Sequence, residues 1–319
     1  MFRIAYVTLS AILIALSASP AAAAGYPEKP IRLLIPFPPG GGTDILARAL
    51  QDKLETALGA PVIIDNRGGA GGTIGCTVAA RAAPDGYTLL LTSASYSFAP
   101  SLYKDLPYDA VKDFKPITNF AQAPLVLAVH PSMPVLSVEE LIALARKRSG
   151  EIHYASAGRG SNLHMTTELF KYMAKIDLMQ VPYKGGGPAT VALMTGEVQV
   201  SFVGILAAIP YMKSGRIRGL AVSTKQRSAA LPHLPTIDES GVPGYDKPGW
   251  TGFFAPAAVP DSIVNHLYQG VAKVLKDPAT VKQLASQGSV AVGNTPEEFG
   301  AFVRFEIAEW GKLIKDMKL

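Results

Sequence analysis

Gly40, Gly41, Gly42, Thr43 and Asp44 could hold an anion, and they close the stretch Ile31–Asp44, IRLLIPFPPGGGTD. Ile31–Ile35 has the length and composition of a buried strand. Pro36, Pro38 and Pro39 end it, because proline has no N–H to give a ladder. The three glycines leave backbone N–H groups bare, and Thr43 or Asp44 can cap a helix over Ile45–Leu58. Orphan amides and the positive end of the helix dipole would then point at one spot. The same residues also suit a plain βα turn with a glycine-rich bend, and local chemistry alone leaves the two readings level. A similar group follows later: the strand Ile152–Ala155 runs into Ser156-Ala157-Gly158-Arg159-Gly160-Ser161, and a helix starts near Asn162 carrying His164.

Other chemistries find little support. Ser161 and His164 stand three apart, but no acid is placed to orient the histidine, and no G-x-S-x-G elbow or P-loop is present. Histidines are not paired as H-x₃-H or HExxH, so no metal is expected. Gly69, Gly71 and Gly75 follow a strand, yet their spacing is wrong for a dinucleotide fingerprint, and no cofactor is expected. Cys76, the single cysteine, allows no internal disulfide and reads as a small buried hydrophobe.

The elements that must position these residues alternate strand and helix. Pro61–Asp65 reads as a strand, Thr73–Ala83 as a helix, and Tyr87–Thr92 as a strand ending at Ser93. Ligands in open α/β sheets sit beyond the carboxyl ends of strands, so Ser93 should face the Gly40–Gly42 crevice. Leu102–Lys115 reads as irregular. Ile117–Val129, interrupted at Pro124, reads as a crossing into a second domain. There Val138–Arg148 is a helix capped by Ser137, with Glu140 completing a capping box. Met179–Pro182, the loop Tyr183–Gly187, a helix Pro188–Thr195, a strand Val198–Val203, a helix Ile205–Lys213 and a strand Ile217–Val222 follow. Ser223–Pro235 reads as the return, before Trp250–Pro256 as a strand and helices over Asp261–Leu275, Ala279–Gln287 and Pro296–Met317. The expected domains are 25–122 with 226–319 as a first lobe, and 123–225 as a second.

At 319 residues, 48% hydrophobic and 17% charged, the chain can bury two cores. Residues 1–24 form a secretory signal peptide: Arg3, the apolar run Ile4–Leu16, then Ala22 and Ala24 before the cut. Without them the chain carries 29 Lys+Arg against 25 Asp+Glu. That weak positive balance favours small anions, and the absence of a basic block with interleaved aromatics argues against nucleic acid.

Longer stretches carry a resemblance. YPEKPIRLLIPFPPGGGTD (26–44), DNRGGAGGTIG (65–75), HYASAGRGSNLHM (153–165), VPYKGGGPA (181–189), LPTIDESGVPGY (234–245) and TPEEFGAFVRFEIAEW (295–310) run in order along nearly the whole chain. It resembles the substrate-binding proteins of tripartite tricarboxylate transporters, the TctC or Bug type. The resemblance implies a type II periplasmic-binding-protein fold, α/β, with two lobes joined by two crossing strands around a ligand cleft. It implies a periplasmic, monomeric receptor, not an enzyme, that passes an organic anion to the membrane subunits of the transporter. Carried over by residue, Gly41, Gly42, Thr43 and Asp44 would seat one carboxylate and Phe37 would wall the ligand. Ser156, Ala157, Gly158, Ser161 and His164 would hold the other end, with Ser93 and Gly186 contributing from neighbouring loops. Many relatives have Asp-Asn where Val203-Gly204 stand here, and losing that carboxylate argues for a di- or tricarboxylate or an aromatic acid over an amino acid. Arg159 could meet a distal carboxylate or simply be solvated. A sensor input to a membrane kinase and an exported hydrolase using Ser161 and His164 are the competing functions.

Overall fold

The computed structural model describes residues 25–319; the expected signal peptide, residues 1–24, lies outside the described residues. The apolar strand β1 (Ile31–Ile35) shows how the sequence builds the fold. Successive strand side chains face opposite sides, so Ile31, Leu33 and Ile35 enter one apolar core and Leu34 enters another. β3 (Thr88–Ser93) splits the same way, Leu89 and Leu91 against Leu90. With β2 (Val62–Asn66), β4 (Phe114–Ala123), β10 (Gly249–Pro256) and β11 (Val290–Ala291) these strands form a sheet in the order β11-β4-β10-β3-β1-β2. Its β2-β1-β3 part is parallel, and β10 enters antiparallel.

The second sheet runs β7-β6-β8-β5-β9, from β5 (Leu125–Val129), β6 (His153–Ser156), β7 (Met179–Pro182), β8 (Val200–Gly204) and β9 (Arg218–Val222). The helices are α1 (Gly42–Ala49), α2 (Gln51–Leu58), α3 (Thr73–Ala80), α4 (Ser95–Leu102), α5 (Val138–Lys147), α6 (Asn162–Ala174), α7 (Gly186–Thr195), α8 (Ile205–Lys213), α9 (Asp261–Lys276), α10 (Pro278–Ser286) and α11 (Pro296–Met317). This is the expected architecture, with several local differences. The helix expected over Ile45–Leu58 is two, broken at Leu50. α4 was not foreseen, because Pro100 lies inside it. In α5 Ser137 accepts the Glu140 N–H as expected, but Glu140 reaches the N–H of Leu136, not of Ser137.

The chain crosses between sheets twice. Pro124 alone separates β4 from β5. The return runs from Ser223 to Pro248, and Ser223 staples the two crossings together. Its Oγ accepts the Leu125 N–H at 2.9 Å and donates to the Lys247 carbonyl at 2.8 Å. Its backbone bonds Leu125 and Lys247 as well. Before reaching Lys247, the returning chain packs on the second sheet's helices: Tyr245 is buried beside Phe170 and donates to the Thr166 carbonyl. Packing therefore keeps residues up to about 245 with the second lobe, where the sequence reading gave 226 onward to the first.

Candidate functional site

A cavity of about 300 Å³ lies between the lobes. That is at the small end of small-molecule sites, which run from roughly 300 to 1,000 Å³. Its position follows from the crossings, since β4, β5, β8 and β10 all end or begin at its floor, at Ala123, Leu125, Gly204 and Gly249. Among the described residues, none of those lining it is Asp, Glu, Lys, Arg or His.

What faces it instead is a set of helix beginnings. The N-caps of α1, α7 and α8 are Gly41, Gly185 and Gly204, and none makes a side-chain cap. Gly41, Gly186 and Gly204 all line the cavity. Each start leaves first-turn N–H groups without a side-chain acceptor and places the positive end of the helix dipole at the cleft. The α6 start arrives differently, because Ser161 caps it by accepting the His164 N–H at 3.2 Å. Two of the open starts meet across the lobes, with Gly187 of α7 beside the Gly40 carbonyl before α1. The site is thus electropositive without a cation.

Eight of the sequence-expected residues line this cavity: Phe37, Gly41, Gly42, Thr43, Ser93, Ala157, Ser161 and Gly186. Five do not. Asp44 is buried and turned back, accepting from Gly40 N, Arg48 Nε and Asn66 Nδ2, so it braces the glycine loop. Burial opposes ionisation of its carboxyl, but Arg48, Gly40 and Asn66 together hold it below the ordinary 3.8. Ser156 is fully buried, its Oγ accepting from Gln180 Nε2 at 2.8 Å and from Gly158 N at 3.3 Å. Gly158 is part of that turn and stays off the cavity wall. His164 accepts the Gly160 N–H through Nδ1, which requires the neutral ring. Burial pushes its pKa down, as do Lys171 and Arg159, against Glu168. Ser161 and His164 therefore meet through a backbone cap and not as nucleophile and base. Val203 sits in the core behind the sheet, since the period-two alternation of β8 turns it away from the face that Gly204 reaches.

Sequence reasoning missed Trp250, Thr251, Tyr211, Pro210, Leu206 and Ser289, which also line the cavity. Only the expected crossing at Pro124 and the strand expected over Trp250–Pro256 hinted at them. Arg159 is exposed, and what it brings to the cleft rim is its carbonyl, which accepts the Tyr103 hydroxyl at 2.9 Å. Tyr103 comes from the first lobe, and its hydroxyl also lies 3.2 Å from the Ala70 carbonyl. At the same rim Gly71 lies so close to Arg159 that a Cβ would fall 2.5 Å from its carbonyl oxygen. Pro38 closes the other side of the mouth against Gly185. These contacts bridge the lobes over the cavity.

Residues 46–319 match the family described as tripartite tricarboxylate transporter family receptor, TctC. The chain belongs to this family. The TctC fold is seen in the periplasmic binding protein BugD, which is 34% identical with a TM-score of 0.88 over 92% of this chain and 99% of that one. Rpa4515 of Rhodopseudomonas palustris, solved with adipate, is 37% identical with a TM-score of 0.89 over 92% and 98%. MatC of the same organism, solved with bound malate, is 30% identical with a TM-score of 0.86 over 91% and 100%. TctC proteins are periplasmic solute-binding receptors, not enzymes, and the two-lobe α/β fold of this chain is theirs. Among the described residues no group of His, Cys, Asp and Glu could hold a metal, and no helix is long and apolar enough to cross a membrane.

Proposed function

We propose that this chain captures a small organic carboxylate between its lobes and delivers it to the membrane subunits of a tripartite tricarboxylate transporter. The observation that carries this is the cavity itself: open helix starts from both lobes and no charged side chain. Neutral donors bind a carboxylate through charge-assisted hydrogen bonds without burying a compensating lysine, and they release it when the lobes part. A free amino acid brings an ammonium group that finds no carboxylate here, because no acidic side chain lines the cavity. The adipate and malate bound by Rpa4515 and MatC support the same class of ligand.

Calorimetry on the purified protein tests this. Di- and tricarboxylates, with adipate and malate first, should bind and raise the melting temperature by mass action, while aspartate and glutamate bind far more weakly. Tight binding of an amino acid with no carboxylate bound overturns the reading.

A further inference from the structure

The α8 helix borders the cleft for nearly its whole length. Gly204 caps it at the floor, and Leu206, Ala207, Pro210 and Tyr211 line the same cavity. Leu206 and Pro210 stand one turn apart, as do Ala207 and Tyr211, so the four form a single stripe on one helix face. Ala208, on the opposite face, is buried in the second lobe's core. The stripe looks toward the first lobe. Leu206 packs against that lobe's core, and α1 stands opposite, with Ile45 on the same cavity. Leu206, Ala207, Tyr211 and Ile45 are only half-buried and Pro210 is exposed, so neighbouring side chains do not seal the furrow between α1 and α8.

Room is kept at the head of this furrow. A Cβ at Gly186 or at Gly204 would meet nothing within 4 Å, and neither residue has a positive φ. Backbone and packing would both accept a side chain there, so what glycine supplies at the two helix starts is space. The anion seat and the furrow belong to one cavity. From Gly204 to Tyr211 the helix rises about 10 Å, the reach of an extended chain of about eight carbons. Ile45, Leu206, Ala207 and Pro210 carry no polar side-chain atom and Tyr211 carries a single hydroxyl. The furrow therefore offers a ligand burial and almost no hydrogen bonding.

We propose that the furrow between α1 and α8 is a subsite for the hydrocarbon part of the ligand, so that the receptor favours a carboxylic acid with an apolar tail over a short, hydroxylated one. This rests on the cleft being a carboxylate site. The carboxylate sits at the helix starts, the tail runs along Leu206 and Ala207, and its end meets Tyr211 beside the exposed Pro210. A hydroxyl on that tail gives up water and finds no partner along Leu206 and Ala207, which costs affinity. A methylene in the same place leaves water for an apolar wall, a gain of roughly fourfold in affinity for each one fully buried.

Calorimetry on the full chain with butyrate and octanoate tests this, because the two probes share one carboxylate and differ in the tail alone. Octanoate should bind at least about tenfold more tightly, which needs only partial burial of its extra methylenes. Tyr211→Ala removes the wall at the far end of the furrow, and Gly204→Val fills the space at the near end. Each should cut the ratio of the two affinities by about threefold or more, since less of the tail is then buried. Damage confined to the helix starts would weaken both probes together and leave the ratio as it was. Should Gly204→Val not fold, Tyr211→Ala, at a half-buried position, carries the same comparison. Malate and adipate are measured alongside. If either binds while octanoate binds no more tightly than butyrate, the inference is overturned and the carboxylate reading stands. The inference is also overturned if wild type prefers octanoate and the folded variants keep that preference in full. If folded wild type binds none of the four acids, the reading of the cleft falls and the inference with it.

Discussion

Thr43 and Asp44 stand side by side in the first turn of α1, yet Thr43 lines the cleft while Asp44 turns back to Gly40, Arg48 and Asn66. Thr43 Oγ1 has no hydrogen-bond partner among the described residues, so its hydroxyl is free for an incoming anion. Thr43→Val keeps the shape and removes that donor. Hydrogen bonds to charged groups contribute about 1.5–3 kcal/mol, so carboxylate affinity should fall roughly ten- to a hundredfold with an unchanged melting temperature. Asp44 should show itself in stability. Its folded pKa lies below the unfolded 3.8, so it contributes stability at and above that value, lost as pH falls through the lower folded value. Asp44→Asn should therefore melt lower at pH 7 and show a smaller drop on acidification below about pH 4 than wild type, a comparison that calorimetry at several pH values makes directly. The sequence shows a hydroxyl or carboxyl beside a glycine loop but not which way it turns. Ser156 and Asp44 face inward because backbone amides and amide side chains reach them first, and those partners lie 2 to 24 residues away.

Strand, small-residue loop and helix start are written plainly in the sequence, because proline and glycine punctuate them, and β7, α8 and α11 fall on the expected bounds. α4 was hidden by a proline that its last turn tolerates, and the break at Leu50 has no glycine or proline to announce it. The contacts that α4 leads to matter for function, because Tyr103 follows it directly and reaches across the cleft mouth to Arg159. This bond joins the two lobes, so any parting of the cleft mouth would break it. Tyr103→Phe removes one neutral hydrogen bond, about 0.5–1.5 kcal/mol, from the closed state alone. The competent fraction falls accordingly, and apparent affinity should drop about two- to tenfold, chiefly through faster ligand release in stopped-flow measurements. Gly71 is the steric counterpart: its φ of +66° and its contact with Arg159 leave no place for a side chain. An affinity unchanged in Tyr103→Phe would show that the rim contact does not contribute to closure.

At the scale of the whole molecule the lobes are tied at one side and touch through few contacts at the other. Ser223, Leu125 and Lys247 knot the crossings, and a continuous apolar core carrying Trp250, Phe254, Leu127 and Phe170 runs through both lobes on the α11 side. The opposite side is held by Tyr103 and by Pro38 against Gly185. That asymmetry is the geometry of a hinge, and a ligand can shut it only if it binds the closed form better than the open one. In a closing receptor the helix starts would supply the difference: α1 would offer its amides from one lobe at any opening, whereas α7 and α8, which line the same cavity from the other lobe, would reach the ligand only on closure. Gly42 tests this, because its φ is not positive and a Cβ there would meet nothing within 4 Å. Gly42→Val should fold with wild-type stability while its side chain occupies the space in front of the α1 amides. Solution scattering should then show a smaller radius of gyration for wild type on adding saturating adipate, and no change for Gly42→Val. Tight adipate binding by wild type without any compaction would leave a rigid site in place of a closing receptor, and the contacts of Tyr103 and Pro38 would then be permanent parts of the fold.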